Sequence, residues 1–229
     1  GMWPGVEALV DDLRVMTERV RARHPATPLY LLGASMGGAV IMVAMTSPKP
    51  PAVDGLVISG PAVWGRATMP FYQRWSLALA AHTVPWLTLT GRGLGILASD
   101  NIEMLRALGR DPLVIKETRV DTIYGLVNLM DAAFDAAPSL QTQALILYGE
   151  NDEVIPKEPT ELMIASLPAA AAGGRQRLAL YAKGYHMLLR DLQAETVWRD
   201  IVGWIEHPAQ PLASGADSHT NSTPSSSAW

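Results

Sequence analysis

The sequence reads Leu29-Tyr-Leu-Leu-Gly-Ala-Ser35-Met-Gly-Gly-Ala-Val40 at its most distinctive point. A short apolar run leads into the pattern Gly-x-Ser-x-Gly, and an apolar helix pattern follows at once. Between a strand and a helix, this pattern predicts a sharp turn that lifts the hydroxyl of Ser35 out of the backbone. We expect glycine at both Gly33 and Gly37 because a Cβ at either position would crowd the turn. The start of the helix also directs free N–H groups and the positive end of its dipole at the same point.

Strands and helices alternate on both sides of this segment. The predicted strands are Leu29–Leu32, Val53–Ser59, Ala144–Tyr148 and Arg177–Tyr181, and the predicted helices are Pro4–His24, Ser35–Thr46, Pro159–Leu167 and Asp191–His207. Helices between successive strands favour a parallel sheet that is covered on both faces. We therefore predict an α/β fold in which residues 1–207 form one core.

Two segments interrupt the alternation. Residues 62–138 are too long for a simple crossover and mostly helical in pattern, so we expect them to form a cap over one end of the sheet. Aromatic residues in this cap are candidates for substrate binding: Trp64, Phe71, Trp75 and Trp86. Residues 208–229 are rich in Ala, Ser, Thr, Pro and Gly, which predicts a disordered tail.

Composition excludes several classes of protein. The chain has 229 residues, a net charge of −4 and no cysteine, which argues against nucleic-acid binding and excludes disulfides and thiolate metal sites. Its longest uncharged run, Trp75–Gly91, contains too many polar residues and a proline to be a membrane span. These observations favour a globular protein and make nucleic acid an unexpected partner.

A serine hydroxyl becomes a good nucleophile when a base removes its proton, and that base needs a carboxylate to orient it. Asp152 follows the strand Ala144–Tyr148, and His186 follows the strand that ends at Tyr181. The carboxyl ends of parallel strands share one edge of a sheet, where ligands bind. We therefore expect Ser35, Asp152 and His186 to converge at that edge.

Other residues compete for two of these roles. Asp152 could be a turn former only, with Glu150 or Glu153 orienting the base instead. Four further histidines lie at helix ends, in the tail or in the predicted cap, where no strand end presents them: His24, His207, His219 and His82. His186 is the predicted base.

Three segments together resemble the α/β-hydrolase superfamily: Gly33–Gly38, Gly149–Asp152 and Gly184–Asp191. They are most similar to its monoacylglycerol lipase and lysophospholipase branch, which is also grouped with serine aminopeptidases of the S33 type. The resemblance extends from about Trp3 to about Glu206. It implies the α/β-hydrolase fold, a parallel sheet with helices on both faces and a helical cap.

The resemblance also implies a mechanism. Ser35 is then the nucleophile, Asp152 the acid and His186 the base, and the N–H of Met36 contributes to the oxyanion hole. The expected substrate is a carboxylic ester with a single acyl chain, and no cofactor is expected. Serine as the nucleophile separates this chain from the epoxide hydrolase and dehalogenase branches, which use aspartate.

Two features depart from the family pattern. Residue 34 is alanine, where relatives often carry histidine or glutamate. In the family, several strands precede the point where the resemblance begins, and they carry a His-Gly loop that supplies the second oxyanion donor; this chain has no His-Gly dipeptide. We therefore expect an N-terminally truncated sheet whose first strands are missing, and an apolar edge on the strand Leu29–Leu32.

The sequence leaves three functions open. The first is an ester hydrolase acting on monoacylglycerol or lysophospholipid, the second a serine peptidase or acyltransferase of the same fold, and the third a catalytically inert fragment. A cap rich in tryptophan and leucine is consistent with transient contact with a membrane surface and equally with ordinary packing against the core.

Overall fold

The structure, a computed structural model, describes residues 2–91, 93–168 and 175–218. Its elements follow the alternation that the sequence predicts. In chain order they are α1 (Val6–Arg23), β1 (Tyr30–Ala34), α2 (Met36–Met45), β2 (Gly55–Ser59), α3 (Phe71–Thr83), β3 (Thr88–Leu89), α4 (Ile102–Arg110), β4 (Thr118–Arg119), α5 (Val120–Ala136), β5 (Ala144–Gly149), α6 (Lys157–Ser166), β6 (Gln176–Tyr181) and α7 (Ala194–Glu206). A single 3₁₀ turn, Ala137–Ser139, follows α5.

The central sheet is parallel, with the strand order β1-β2-β5-β6. Its register aligns Gly33 with Ile58, Ile58 with Ile146, and Ile146 with Leu178. Both inner strands, β2 and β5, are buried along their whole length, as expected of short apolar runs covered on both faces. All four strands therefore end at one common edge of the sheet.

Helices cover both faces of the sheet, which confirms the predicted fold class. On one face, α1, α2 and α5 pack together over residues such as Leu56 and Ile146, and Met163 of α6 joins the same core. On the other face, α7 places Trp204 and Ile201 against Leu145 and the strands around it. The helix α2 is apolar all round because it lies between the sheet and two other helices.

The predicted insertion at residues 62–138 divides into two parts. Its first part contains α3, α4 and the small β3-β4 ribbon, and neither of these two helices has a buried residue. Its last part is α5, which packs on α2 and buries Leu129 and Ala133 in the main core. The cap is thus shorter than expected, and α5 belongs to the layer on the sheet.

Residues 208–218 have a defined conformation, unlike the disordered tail expected from their composition. Leu212 and Ala216 are buried against the α7 face, and the N–H of Leu180 in β6 donates to the carbonyl of Ala216 at 2.9 Å. The carboxylate of Asp200 accepts hydrogen bonds from both the N–H and the hydroxyl of Ser214. Residues 219–229, the rest of the expected tail, lie outside the described residues.

At the other end of the sheet, β1 hydrogen-bonds to β2 and to no other strand of the described residues. Leu32 of this strand is 52% exposed. This agrees with the apolar edge expected for the strand that precedes Ser35. Within the described ranges, no helix has both the length and the hydropathy needed to cross a bilayer.

Candidate active site

Ser35 lies at the turn between β1 and α2 in a strained backbone conformation. Its φ is 51° and its ψ is −119°, and it is the only non-glycine residue with positive φ among the described residues. Its N–H donates to the carbonyl of Ser59 at 2.9 Å, and its carbonyl accepts from the N–H of Ala62 at 3.1 Å. A backbone of this kind costs about 1–3 kcal/mol and persists when surrounding contacts hold it in place. Here the end of β2 supplies those contacts.

The two glycines of the pattern have different roles. A Cβ on Gly33 would lie 2.6 Å from the backbone carbon of Gly37 and 2.6 Å from the side chain of Ile41, so the crowding expected there is present. A Cβ on Gly37 would have nothing within 4 Å, so the expectation of crowding at Gly37 is wrong. The tight contact falls on Gly38 instead, whose Cβ would lie 3.1 Å from the side chain of Ile58. The helix approaches β2 through its third residue, because Gly37 faces away from the sheet.

Asp152 lies in the loop after β5, and its side chain has no exposed surface. Its Oδ1 accepts from the backbone N–H groups of Val154 at 2.8 Å and Ile155 at 2.9 Å. Its Oδ2 lies 2.8 Å from Nδ1 of His186. Because an ionised carboxylate only accepts, Nδ1 carries the hydrogen of this bond, and Nε2 of the neutral ring keeps its lone pair.

The loops after β5 and β6 are packed directly on each other. The N–H of Asn151 donates to the carbonyl of Gly184 at 2.9 Å, and the N–H of Glu150 donates to the carbonyl of Tyr181 at 3.0 Å. A Cβ on Gly149 would lie 2.5 Å from the backbone of Gly184. This close approach holds the two loops together and explains the glycine in each.

Gly60 connects the serine to the histidine. It follows Ser59, the partner of the Ser35 N–H, and its φ is +47°. A Cβ at this position would lie 3.3 Å from Nδ1 of His186 and 3.4 Å from Oδ2 of Asp152. The only sequence signal is a glycine between the end of a buried strand and a proline.

The structure gives neither of the competing acidic residues a hydrogen bond to His186. Glu150 is exposed, and a carboxylate oxygen of Glu153 accepts from the N–H of Leu97 at 2.7 Å. Asp152 is therefore the carboxylate that contacts His186. Among the described residues, no group of three or more His, Cys, Asp or Glu side chains could hold a metal ion.

The competing histidines that the structure describes lie in helices or at their ends. His82, in α3, bonds through Nδ1 to the carbonyl of Ala78 at 2.7 Å and packs edge-on against Tyr124. His24 and His207 follow the last residues of α1 and α7. His219 lies outside the described residues.

The remaining predicted site residues are more exposed. Met36 is the first residue of α2, so its N–H has no acceptor four residues earlier within the helix. Phe71, Trp75 and Trp86 are 73%, 75% and 63% exposed, whereas Trp64 is half-buried against the main core. A role of these four aromatic residues in substrate binding stays a prediction.

A buried tyrosine supports the loop that carries the acid. The hydroxyl of Tyr148 donates to the carbonyl of Ile155 at 3.1 Å, next to the turn that binds Asp152. Burial, with a contribution from the negative charge of Asp152, raises the pKa of Tyr148 to about 12. The hydroxyl is therefore a neutral donor throughout the physiological pH range.

Comparison with known proteins assigns the chain to a family. Residues 1–193 match the family described as serine aminopeptidase, S33. The chain belongs to this family. It lies in the monoacylglycerol lipase-like branch of the α/β-hydrolases, which confirms the resemblance drawn from the sequence.

Individual relatives are distant. The monoglyceride lipase of Rattus norvegicus is 26% identical over 206 residues, which cover 88% of this chain and 66% of that protein. The monoacylglycerol lipase of Mycolicibacterium smegmatis is 25% identical over 213 residues, covering 86% of this chain and 68% of that protein. This chain thus spans about two thirds of the length of these two relatives.

A solved structure shows the same fold. The monoacylglycerol lipase of Paleococcus ferrophilus superposes with a TM-score of 0.70 at 21% identity, covering 89% of this chain and 76% of that one. At this identity the likeness concerns the α/β-hydrolase fold alone.

Proposed function

We propose that this S33-family chain is a carboxylic ester hydrolase in which Ser35, His186 and Asp152 act as a catalytic triad. The observation that carries the proposal is the 2.8 Å bond between Nδ1 of His186 and a fully buried carboxylate. It occurs at the edge of the sheet where β1 ends in the strained backbone of Ser35. Both features are expected of an acyl-transfer site, because the strained turn exposes the serine hydroxyl and the carboxylate orients the base that takes its proton.

The chemistry follows from the hydrogen-bond directions. With Nδ1 donating to Asp152, Nε2 of His186 is the atom that accepts the proton of Ser35 while the serine oxygen attacks the ester carbonyl. The N–H of Met36 donates to the oxygen that becomes negatively charged. His186 then returns the proton to the leaving alcohol, and a water activated by the same nitrogen hydrolyses the acyl-enzyme.

The proposed substrates are esters of one acyl chain, of the monoacylglycerol or lysophospholipid type. Support comes from the names of the similar proteins, which are monoglyceride and monoacylglycerol lipases. The family is also described as serine aminopeptidase, so the alternative is a peptidase or an acyltransferase that uses the same residues.

Labelling with a fluorophosphonate probe tests the triad, and a comparison of ester and anilide substrates tests the type of reaction. We expect wild-type protein to be labelled and Ser35→Ala to stay unlabelled, with p-nitrophenyl acyl esters turned over in preference to amino-acid anilides. Preference for anilides would favour the peptidase. No labelling of folded wild-type protein would favour the inert alternative.

We further propose that the cap contacts the surface of a lipid aggregate. Phe71, Trp75 and Leu79 repeat every four residues along α3 and are 73%, 75% and 67% exposed, so they form one apolar stripe. Phosphatidylcholine vesicles should co-sediment the wild type more than the double variant Phe71→Ser/Trp75→Ser. Trp198→Ser is the matched control, because Trp198 is an exposed tryptophan on α7 (51%) outside the cap. Equal sedimentation of all three proteins would reject the contact.

A further inference from the structure

A short segment of the cap, residues 97–101, is hydrogen-bonded to the two loops that carry Asp152 and His186. Five bonds connect it to residues more than fifty positions away in sequence. They are Leu97 N–H to Glu153 Oε2 (2.7 Å), Met187 N–H to the Ala98 carbonyl (2.9 Å), Ser99 Oγ to Asp191 Oδ1 (2.5 Å), Leu192 N–H to Asp100 Oδ1 (2.8 Å) and Asn101 Nδ2 to the Arg190 carbonyl (3.0 Å). Four of the five end on the segment that follows β6.

These contacts hold the backbone on both sides of His186. The N–H of Met187 donates to the carbonyl of Ala98, and the N–H of Tyr185 donates to Oδ2 of Asp191 at 2.8 Å. The other oxygen of Asp191 is the one that accepts from Ser99. The Gly184–Tyr185 and His186–Met187 peptide groups are thus fixed by segment 97–101, the first through Asp191 and the second directly.

Both side chains of the Ser99–Asp191 pair are buried, at 0% and 3% exposure. A buried carboxylate is costly unless donors satisfy it, and the donors that the structure gives it here are neutral. Loss of the Ser99 hydroxyl would leave Oδ1 without that donor in a site closed to water. Asp191 would then reorient, and the N–H of Tyr185 would lose its fixed acceptor.

We propose that Ser99 and Asp191 are a positioning pair that holds the loop carrying His186 where its imidazole can accept the proton of Ser35. The proposal rests on the proposed ester hydrolase function, because it concerns the placement of the base. The pair acts through the backbone of Tyr185 and touches neither the substrate nor the imidazole. It also links the cap to the base, so that a displacement of segment 97–101 changes the position of His186.

The test compares Ser99→Ala with Ser214→Ala. Ser214 is a matched control because its hydroxyl also donates to a buried aspartate, Asp200. The other donors to Asp200 are the N–H of Ser214 and the hydroxyl of Tyr181, and neither residue is adjacent to His186 in sequence. Two quantities are measured on the full chain: the rate constant of fluorophosphonate labelling and the fraction finally labelled. The kcat and KM for a short p-nitrophenyl ester are measured alongside.

We expect Ser99→Ala to lower the labelling rate constant and kcat about ten- to a hundredfold, as for a misplacement of about 1 Å, with KM and the final labelled fraction nearly unchanged. Ser214→Ala should keep the wild-type rate constant. If Ser99→Ala does not fold, Asp191→Asn is judged by the same criteria.

Four results would overturn the inference. A wild-type rate constant in the Ser99 variant refutes positioning while the proposed function stands. A lower labelled fraction with an unchanged rate constant, or an equal loss of rate in Ser214→Ala, shows a structural role only. Failure of folded wild-type protein to react removes the proposed function, and this inference falls with it.

Discussion

Replacing Asp152 by asparagine changes one atom and reverses one hydrogen bond of the site. The N–H groups of Val154 and Ile155 donate to Oδ1 at 2.8 and 2.9 Å, so they hold the amide oxygen of an asparagine in that position. Its NH₂ group then faces Nδ1 of His186 in place of Oδ2, 2.8 Å away. Turning the amide over would set the NH₂ group against two N–H donors in a closed site, so the backbone fixes the unfavourable orientation.

The expected loss of activity follows from the tautomer. The NH₂ group can only donate, so Nδ1 of His186 must accept, and the hydrogen of the neutral ring moves to Nε2. That nitrogen can no longer take the proton of Ser35. The equivalent change in a serine protease lowers kcat about 10⁴-fold, and we expect a fall of about 10³- to 10⁴-fold here, equal to about 4–5.5 kcal/mol of activation free energy.

The assay is the rate constant of fluorophosphonate labelling, with the hydrolysis of a p-nitrophenyl ester as a second readout. Glu150→Gln is the matched control because it removes the same charge from the same loop, at an exposed position. The asparagine keeps both turn hydrogen bonds, so urea unfolding should show a stability loss of only about 1–3 kcal/mol. A labelling rate for Asp152→Asn within tenfold of a reactive wild type, or an equal loss in Glu150→Gln, would refute the assignment of Asp152.

Three further results are expected. Gly60→Ala places a Cβ 3.3 Å from Nδ1 of His186 at a φ of +47°, so it should lower the free energy of unfolding by about 1–2 kcal/mol. It should also slow fluorophosphonate labelling more than a variant elsewhere with the same stability loss, and an unchanged labelling rate would contradict the packing of Gly60 against His186. Gly33→Ala should lower the free energy of unfolding in urea by about 3 kcal/mol or more, because its Cβ would lie 2.6 Å from the backbone of Gly37. Gly37→Ala, whose Cβ would have nothing within 4 Å, should be neutral or stabilising by up to about 1 kcal/mol, and equal effects of the two variants would be inconsistent with this geometry. Because the pKa of Tyr148 rises from 10.0 to about 12 on folding, its contribution to stability is complete below pH 10 and is lost as the pH rises toward 12. Tyr148→Phe should therefore weaken the fall of the unfolding free energy with pH, measured above and below pH 10; an unaltered pH dependence would argue against this prediction.

The proposed triad residues could be read from the sequence because each lies directly after a strand. Ser35, Asp152 and His186 occur in loops whose position is set by parallel topology, so a pattern of strands and helices was enough to bring them to one edge. Gly60 could not be found in this way. Its importance comes from a contact with His186 that is far away in sequence, and its left-handed backbone leaves no periodic signal.

Composition was a poor guide in the last part of the predicted cap and in residues 208–218. The helix α5 has the same apolar character as a cap helix, and only its packing on α2 assigns it to the core. Residues 208–218 are held by two buried side chains, Leu212 and Ala216, and by hydrogen bonds with Asp200, Arg177 and Leu180, although their composition is typical of disorder. These contacts are set by the surface that the segment meets, which the sequence pattern does not describe.

The docking of residues 208–218 on the α7 face has a consequence for synthesis of the chain. The core on the α2 face draws on residues up to Leu178, whereas the core on the α7 face also needs Leu212 and Ala216. At about 5–20 residues per second, translation of the intervening stretch takes about 2–8 seconds. Until α7 has also been made, a nascent chain carries a sheet with one face packed and Leu145 uncovered on the other, because α7 supplies the Ile201 and Trp204 that pack on this face. Chaperone demand on the ribosome should therefore be highest after the loop that carries His186 has been made and before α7 and residues 208–218 have docked.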